Sequence, residues 1–249
     1  MNLLKRSLHL TTLAVLLALG LAIDVSGGVQ AQAPRSPVRR SIPERWEFKP
    51  PKVGNPRVGR TGAATRGDPT SCIQGNQPVT ALVPASGEGT TVSAYPTFFW
   101  YLPRTSARQV EFVLKDEQEQ EIYSTKFAIT GTPGVMNLSL PRYAALPPLE
   151  IGKQYTWQLA VICTPDRSAD TIVEGDVQRV APNANLVSKF AQATPQERVA
   201  LYADARLWYD TLNYLSYLRL YYPNDSAAAE SWKNLLQSAQ LGNIAQEPF

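Results

Sequence analysis

Seven short runs of β-forming residues, each closed by a turn signal, recur between residues 72 and 181. Valine, isoleucine, threonine and aromatic residues dominate the runs, and glycine, proline and acidic residues separate them. The runs cover residues 79–83, 97–102, 109–115, 121–129, 135–140, 154–163 and 170–180. Strands of this length and spacing are typical of antiparallel sandwiches. We therefore predict a mainly β domain at residues 71–181, a seven-stranded immunoglobulin- or fibronectin-like β-sandwich.

Alternation within the runs predicts which side chains face the core. Val110, Phe112 and Leu114 lie on one side of their strand because successive side chains point to opposite faces. The run 97–102 is different, since residues 98–101 are aromatic on both faces. A strand that is apolar on both faces must be covered on both, and we expect the C-terminal helices to cover its outer face.

The chain has two cysteines, Cys72 and Cys163. Outside the cytoplasm such a pair usually forms a disulfide, so we predict a bond between them. The alternative is a redox-active pair, which the absence of Cys-x-x-Cys spacing disfavours.

Residues 182–241 have the pattern of a helical segment. Thr194 and Glu197 form a capping box with Pro195 at the first helical position. The segment from Trp208 to Leu212 resembles the second helix of a tetratricopeptide unit. Only one such unit is present, and repeat arrays need about three. We predict one tetratricopeptide-like hairpin packed on the sandwich, followed by a tail at 242–249.

The N-terminus has the three parts of an export signal. Lys5 and Arg6 precede an uncharged, mostly apolar run at residues 10–23, and small residues follow at 26–33. We predict a cleavable signal peptide at residues 1–33 and a periplasmic or extracellular location. The alternative is an uncleaved anchor, although the run is shorter than the roughly 20 residues that span a bilayer.

Residues 34–70 are rich in proline, glycine and arginine. Nine basic residues against two acidic ones give residues 34–67 a net charge of +7, whereas the remaining chain after the signal carries 13 basic and 18 acidic residues. This composition predicts a solvated linker. The alternative is contact with an anionic surface or polymer of the envelope. Because the body is acidic and exported, we expect no nucleic-acid partner.

The only histidine, His9, lies in the predicted signal peptide. The exported part therefore lacks the imidazole of Ser-His-Asp and Cys-His catalysis and of histidine-ligated zinc. No catalytic, cofactor-binding or metal-binding motif is recognisable in the sequence. We predict a protein that is not an enzyme and that uses no cofactor.

Two groups of carboxylates are candidates for a metal-binding or a catalytic site. Residues 116–121 are strongly acidic, which permits a weak calcium site but is more typical of a solvated hairpin turn. The second group, which would suit glycoside hydrolysis or ion pairs with Arg167 and Arg179, comprises Asp166, Asp170, Glu174 and Asp176.

Several aromatic residues are candidates for stacking on sugar rings, although such residues more often belong to cores and domain interfaces. They are Tyr95, Tyr101, Tyr143, Tyr214, Tyr217 and Tyr221.

A combination of short strings distributed along the chain carries a family resemblance. The strings are Thr80-Ala81-Leu82-Val83-Pro84, Pro96-Thr97-Phe98-Phe99-Trp100-Tyr101, Gly131-Thr132-Pro133-Gly134, Gly152-Lys153-Gln154-Tyr155, Ser168-Ala169-Asp170, Glu174-Gly175, Gln178-Arg179-Val180 and Trp208-Tyr209-Asp210. Between about residues 65 and 241 the chain resembles a family of exported cyanobacterial proteins known as domain of unknown function 928. The resemblance implies export from such an organism and brings no activity, ligand or catalytic residue.

Two functions follow as hypotheses. The first is an exported, non-enzymatic binding or scaffolding module of the cell envelope, with a protein or an envelope polymer as partner. The second is a carbohydrate-binding or carbohydrate-cleaving protein that uses the surface aromatics and carboxylates named above.

Overall fold

The computed structural model describes residues 48–49, 59–62, 71–143 and 146–249. The predicted signal peptide and most of the predicted linker lie outside the described residues. Within the part of the chain that is described, no helix is both long and apolar enough to cross a membrane.

The described chain contains eight strands, followed by helices. The strands are β1 (Thr80–Ala81), β2 (Glu88–Thr91), β3 (Thr97–Leu102), β4 (Gln109–Lys115), β5 (Glu121–Ala128), β6 (Gly134–Ser139), β7 (Gln154–Ile162) and β8 (Thr171–Arg179). The helices are α1 (Ala184–Phe190), α2 (Pro195–Asp204), α3 (Trp208–Tyr221), α4 (Ser226–Ser238) and a 3₁₀ turn at Gly242–Ile244. Each predicted run overlaps one strand, and β2 is an additional strand that we did not predict.

The strands form two sheets, which confirms a mainly β fold with C-terminal helices. The three-stranded sheet has the order β1-β3-β6 and the five-stranded sheet the order β2-β8-β7-β4-β5. Neighbouring strands are antiparallel, except that β2 runs parallel to β8.

Aromatic side chains from both sheets meet in the core. Phe98 of β3 lies 5.2 Å from Phe112 of β4 and 5.4 Å from Trp157 of β7, measured between ring centroids. All three side chains are fully buried, and burial of each contributes about 1.5–3 kcal/mol to folding. The alternation predicted for β4 is confirmed, since Val110, Phe112 and Leu114 face this core.

A disulfide joins Cys72, which precedes β1, to Cys163, which follows β7. The predicted bond is therefore confirmed. It connects the opening of the sandwich to the end of the five-stranded sheet and closes a loop of 91 residues.

The C-terminal part of the chain packs against β3, and the predicted cover of the outer face by the helices stays a prediction. All six residues of β3 are buried, and α3 packs against β2 and β3. The chain after α4 packs on the same sheet, because the Val135 amide donates to the Pro248 carbonyl at 2.6 Å. Burial, together with the Glu247 carboxylate, raises the pKa of Tyr101. The predicted tail is thus part of the folded body.

Local signals fix the ends of the helices. The capping box of Thr194 and Glu197 is present at the start of α2, with Pro195 in the first turn. The Asp225 carboxylate accepts hydrogen bonds from the amides of Ala227 and Ala228 and so begins α4 after Pro223.

Residues of the predicted linker contact both the sheets and the helices. Thr61 bridges to Thr80 of β1, and the Gly59 carbonyl accepts from the Glu174 amide of β8 at 3.0 Å. The Arg60 guanidinium donates to the Ala239 carbonyl at the end of α4, at 2.6 Å. Phe48 is buried against Trp208, with ring centroids 5.0 Å apart. These residues differ from the predicted free linker, because each is paired with the folded body.

Candidate functional site

The start of α3 is anchored in the sandwich through two aromatic residues. Trp208 donates from Nε1 to the Leu82 carbonyl at 2.9 Å. The Tyr209 hydroxyl accepts from Trp157 Nε1 at 2.8 Å and donates to the Asp176 carbonyl at 2.9 Å. Burial raises the pKa of Tyr209, so its hydroxyl keeps the proton that it donates. These bonds hold the first turn of α3 in one position on the sheets.

Asp210, the next residue, carries the most perturbed carboxyl of the helical part that is described. Its Oδ2 accepts from the Val92 amide at 3.1 Å. Burial raises the pKa of Asp210 to about 6, although hydrogen bonds from the Thr91 hydroxyl and the Val92 amide oppose the shift. A carboxyl with such a shift beside a cavity is a candidate functional group.

Asp210 lines a cavity of about 250 Å³ between the sandwich and α3, which we call the polar cavity. Its walls come from the β2–β3 connection, the end of β6 and the first two turns of α3. The lining residues are Thr91, Ser93, Tyr95, Pro96, Thr97, Ser139, Leu140, Arg142, Tyr209, Asp210 and Asn213.

A second candidate surface is a row of four rings, Tyr202 of α2 and Tyr214, Tyr217 and Tyr221 of α3, which we call the tyrosine row. Consecutive ring centroids are 6.0 Å apart for Tyr202 and Tyr214, 6.0 Å for Tyr214 and Tyr217, and 4.5 Å for Tyr217 and Tyr221. Burial raises the pKa of Tyr202 to about 12 at the inner end. At the outer end Tyr217 is 43% and Tyr221 68% exposed. The row therefore runs from the protein interior to solvent.

An apolar groove of about 280 Å³ adjoins the inner end of the row. Phe190 lines the groove and contacts the row, since its ring centroid lies 4.9 Å from that of Tyr202. The Arg198 guanidinium lies 4.8 Å above the Phe190 ring, which adds a cation–π contact. Val187 of α1, on the groove wall, is 57% exposed.

The carboxylates that the sequence offered for catalysis are each held by a neighbour. Asp166 accepts from the Thr164 hydroxyl at 2.7 Å and from the Ser168 hydroxyl at 2.9 Å. Asp170 and Glu111 both pair with Arg167. Glu174 accepts from Gln158 at 2.8 Å, and Asp176 accepts from the Thr156 hydroxyl at 2.7 Å. Such contacts are typical of structural polar groups.

The predicted ion pair of Arg167 with a carboxylate is confirmed, and the predicted ion pair of Arg179 is wrong. Arg179 donates to the carbonyls of Leu149 and Val92 instead of to a carboxylate. Asp176 instead lies beside Glu88 in the register of β2 and β8. Burial, followed by the Asp176 charge, raises the pKa of Glu88.

The acidic stretch 116–121 forms the turn between β4 and β5. The Asp116 carboxylate accepts from the amides of Gln118 and Gln120, both at 2.9 Å, and so closes the turn itself. Among the described residues, no group of three histidine, cysteine or acidic side chains could hold a metal ion.

The predicted aromatic candidates occupy different environments. Tyr95 lines the polar cavity, Tyr101 is buried, Tyr143 is fully exposed, and Tyr214, Tyr217 and Tyr221 form most of the tyrosine row. Sequence reasoning missed Asp210, Asn213 and Arg142. A signal was present only for Asp210, in the string Trp208-Tyr209-Asp210.

A two-sheet β-sandwich with C-terminal helices packed against it is the class of protein that this fold defines. The chain belongs to the family described as Domain of Unknown Function (DUF928), whose model matches residues 61–249. The predicted family resemblance is therefore confirmed. Among solved structures, the chain is similar to the fn3 domain of the human collagen alpha-1(XX) chain. That match has 17% identity and a TM-score of 0.24, and it covers 35% of this chain and 71% of the other. No curated protein matches the sequence.

Proposed function

We propose that the chain is a non-enzymatic binding module of the cell envelope that docks a protein partner on the tyrosine row. The observation that carries the proposal is the exposure of Tyr217 and Tyr221 at the end of a continuous series of ring contacts. Tyrosine is enriched at the energetic centres of protein interfaces because it offers a large apolar ring and a hydroxyl at low entropic cost.

The rings of the row are pre-ordered for binding. Tyr214 contacts Tyr202 and Phe190 on its inner side and Tyr217 on its outer side. A partner that stacks on Tyr217 and Tyr221 therefore meets side chains whose rotamers are already restricted. Pre-ordering lowers the entropic cost of association.

The adjoining groove would give such an interface an apolar centre. Val187 and Phe190 of α1 present side chains beside the row, and the tyrosine hydroxyls provide a polar border. An apolar centre with a polar rim is the common anatomy of protein interfaces.

The helices that carry the row fit the single tetratricopeptide-like hairpin that the sequence predicts, and we include that hairpin in the proposal. α2 and α3 pack against each other, and the proposal assigns the outer part of α3 to the partner. The sandwich, which we propose to be immunoglobulin- or fibronectin-like, serves as the rigid base.

Location in the envelope is part of the proposal. It is supported by the export pattern of residues 1–33, and the disulfide suits an oxidising compartment. The basic segment 34–67 would keep the body near an anionic surface.

The test places a photo-crosslinking residue at position 217, 221 or 143 of the mature protein in an intact envelope. We expect one protein to crosslink from positions 217 and 221, because both lie on the row. Tyr143 is the matched control, as it is fully exposed but lies outside the row.

The identified partner is then titrated with purified variants. We expect Tyr217→Ala and Tyr221→Ala each to weaken binding about 10- to 30-fold, as for interface hot spots, and Tyr143→Ala to leave it unchanged. Crosslinking of the same protein in equal yield from all three positions would contradict the proposal.

A further inference from the structure

The polar cavity is a pre-formed site with walls from three parts of the chain. The Leu140 amide donates to the Pro96 carbonyl and the Leu149 amide to the Ala94 carbonyl, both at 3.0 Å. These bonds fix the β2–β3 connection against the neighbouring loops, and Tyr209 fixes the opposite wall. The backbone of these walls is therefore fixed before a ligand enters, which lowers the entropic cost of binding.

Hydroxyl groups dominate the chemistry of the walls. Six lining residues carry one, namely Thr91, Ser93, Tyr95, Thr97, Ser139 and Tyr209, and the Tyr209 hydroxyl is already bonded to Trp157 and Asp176. Ser93 Oγ accepts from the Tyr95 amide at 3.2 Å, and Thr97 Oγ1 and Ser139 Oγ share a bond of 2.8 Å. Each hydroxyl has one donor and two acceptor positions, so these bonds leave further donors and acceptors for a ligand.

Three longer polar side chains complete the lining. The Asp210 carboxylate accepts from the Val92 amide through Oδ2 and from the Thr91 hydroxyl, and a carboxylate has about four acceptor positions in all. Within the described part of the chain, the side-chain amide of Asn213 and the Arg142 guanidinium make no hydrogen bond or ion pair. The cavity thus offers a carboxylate, an amide and a guanidinium together.

The chemistry of the lining excludes several ligand classes. Calcium needs six to eight oxygen ligands and usually several carboxylates, whereas Asp210 is the one carboxylate of the lining. The same carboxylate repels an anion. An apolar ligand would leave the hydroxyls, the amide and the charges without partners, at a high cost in desolvation.

A neutral ring with several hydroxyl groups satisfies all of these conditions. Neighbouring hydroxyls donate to the carboxylate and accept from the amide and the guanidinium. The ring of Tyr95, held by a bond from its hydroxyl to the Leu146 carbonyl at 3.3 Å, offers an apolar face of the kind on which sugars stack. We propose that the polar cavity binds one neutral pyranose sugar, either free or as the terminal unit of a glycan.

This site is independent of the tyrosine row, so either proposal can fail alone. The test follows backbone amide NMR shifts of the mature protein during titration with glucose, galactose and mannose and with their methyl glycosides. A contact site of this size gives millimolar affinity, so the titration extends to about 50 mM. Binding of the free sugars alone indicates a free ligand, and binding of the methyl glycosides indicates a glycan terminus.

We expect at least one sugar to shift the amides of residues 91–97 and 209–213. Asn213→Ala should weaken its binding about 5-fold, the usual effect of losing one neutral hydrogen bond. Arg142→Ala and Asp210→Asn should weaken it about 10-fold or more, because these bonds are charge-assisted. Gln118→Ala removes an amide from the β4–β5 turn and is the matched control, with no change expected.

Two results would overturn the proposal. One is the absence of shifts at these amides of the folded wild-type protein for every sugar. The other is a response to glycine or to an ammonium salt but not to sugars, which would make the cavity an amine site.

Discussion

At the scale of single residues, Asp210 contributes to the way in which stability responds to pH. Burial raises the pKa of Asp210 to about 6, whereas an unfolded aspartate has a pKa of about 3.9. Between these values the native state binds more protons than the unfolded state. The free energy of unfolding therefore falls as pH rises from about 4 to about 6, by on the order of 3 kcal/mol from this group.

Asp210→Asn should abolish that decrease, because an amide does not ionise but can still accept from the Val92 amide through its oxygen. We expect the variant to exceed the wild type in free energy of unfolding at about pH 7.5 and to match it at about pH 4. Urea titrations at both pH values measure the difference. Asp204→Asn, an exposed carboxylate of α2, should behave like the wild type. A constant offset of the Asp210 variant at both pH values would refute the assignment.

At the scale of elements, the sequence predicted strands such as β4, whose apolar and polar residues alternate, and missed β2, which depends on neighbouring elements. β4 alternates because one of its faces packs on the core, so the pattern is local. β2 reads Glu-Gly-Thr-Thr, which has no apolar face. Pairing with β8 and packing against α3 stabilise it, and a strand defined by distant partners leaves no local period.

The candidate sites divide in the same way. The spacing of Tyr214, Tyr217 and Tyr221 places them on one helix face, so most of the tyrosine row could be predicted. The polar cavity could not, because its walls come from residues 91–97, 139–142 and 209–213, which meet only in the folded chain. Single hydroxyl groups in those segments are indistinguishable from ordinary turn residues.

β2 also provides a prediction at this scale. A methyl group on Gly89 would lie 2.8 Å from Tyr209 Cε2 and 3.1 Å from Trp208 Cδ1, and both rings are held by hydrogen bonds. Gly89→Ala should therefore lower the free energy of unfolding by about 1–3 kcal/mol through overpacking.

Urea unfolding followed by far-ultraviolet circular dichroism measures this loss. Gly242→Ala is the matched control, since its new methyl group meets the flexible side chain of Gln237 at 3.2 Å from Cγ. Equal stability of the two variants would show that the start of α3 can move away from β2.

At the scale of the whole molecule, the Cys72–Cys163 disulfide limits the freedom of the unfolded chain. It closes a loop of 91 residues, for which the chain-entropy relation gives about 4–5 kcal/mol. Reduction should lower the melting temperature by roughly 10 °C in a domain of this size.

Differential scanning calorimetry with and without reductant measures the effect. The double variant Cys72→Ser/Cys163→Ser should melt near the reduced wild type and should not respond to reductant. A wild type that melts at the same temperature in both conditions would contradict the stabilising role of the bond.

The contacts of residues 59–62 and of Pro248 bear on self-association. Residues 59–62 hydrogen-bond along β1, and the Pro248 carbonyl occupies the Val135 amide on β6. At each margin of the three-stranded sheet, backbone groups that a neighbouring molecule would need for strand addition are therefore already bonded, and strand addition is the route by which open sheets grow into fibrils. Proteolytic removal of residues 59–62 or of Pro248 would free these backbone groups and expose them to strand addition by a second copy of the chain.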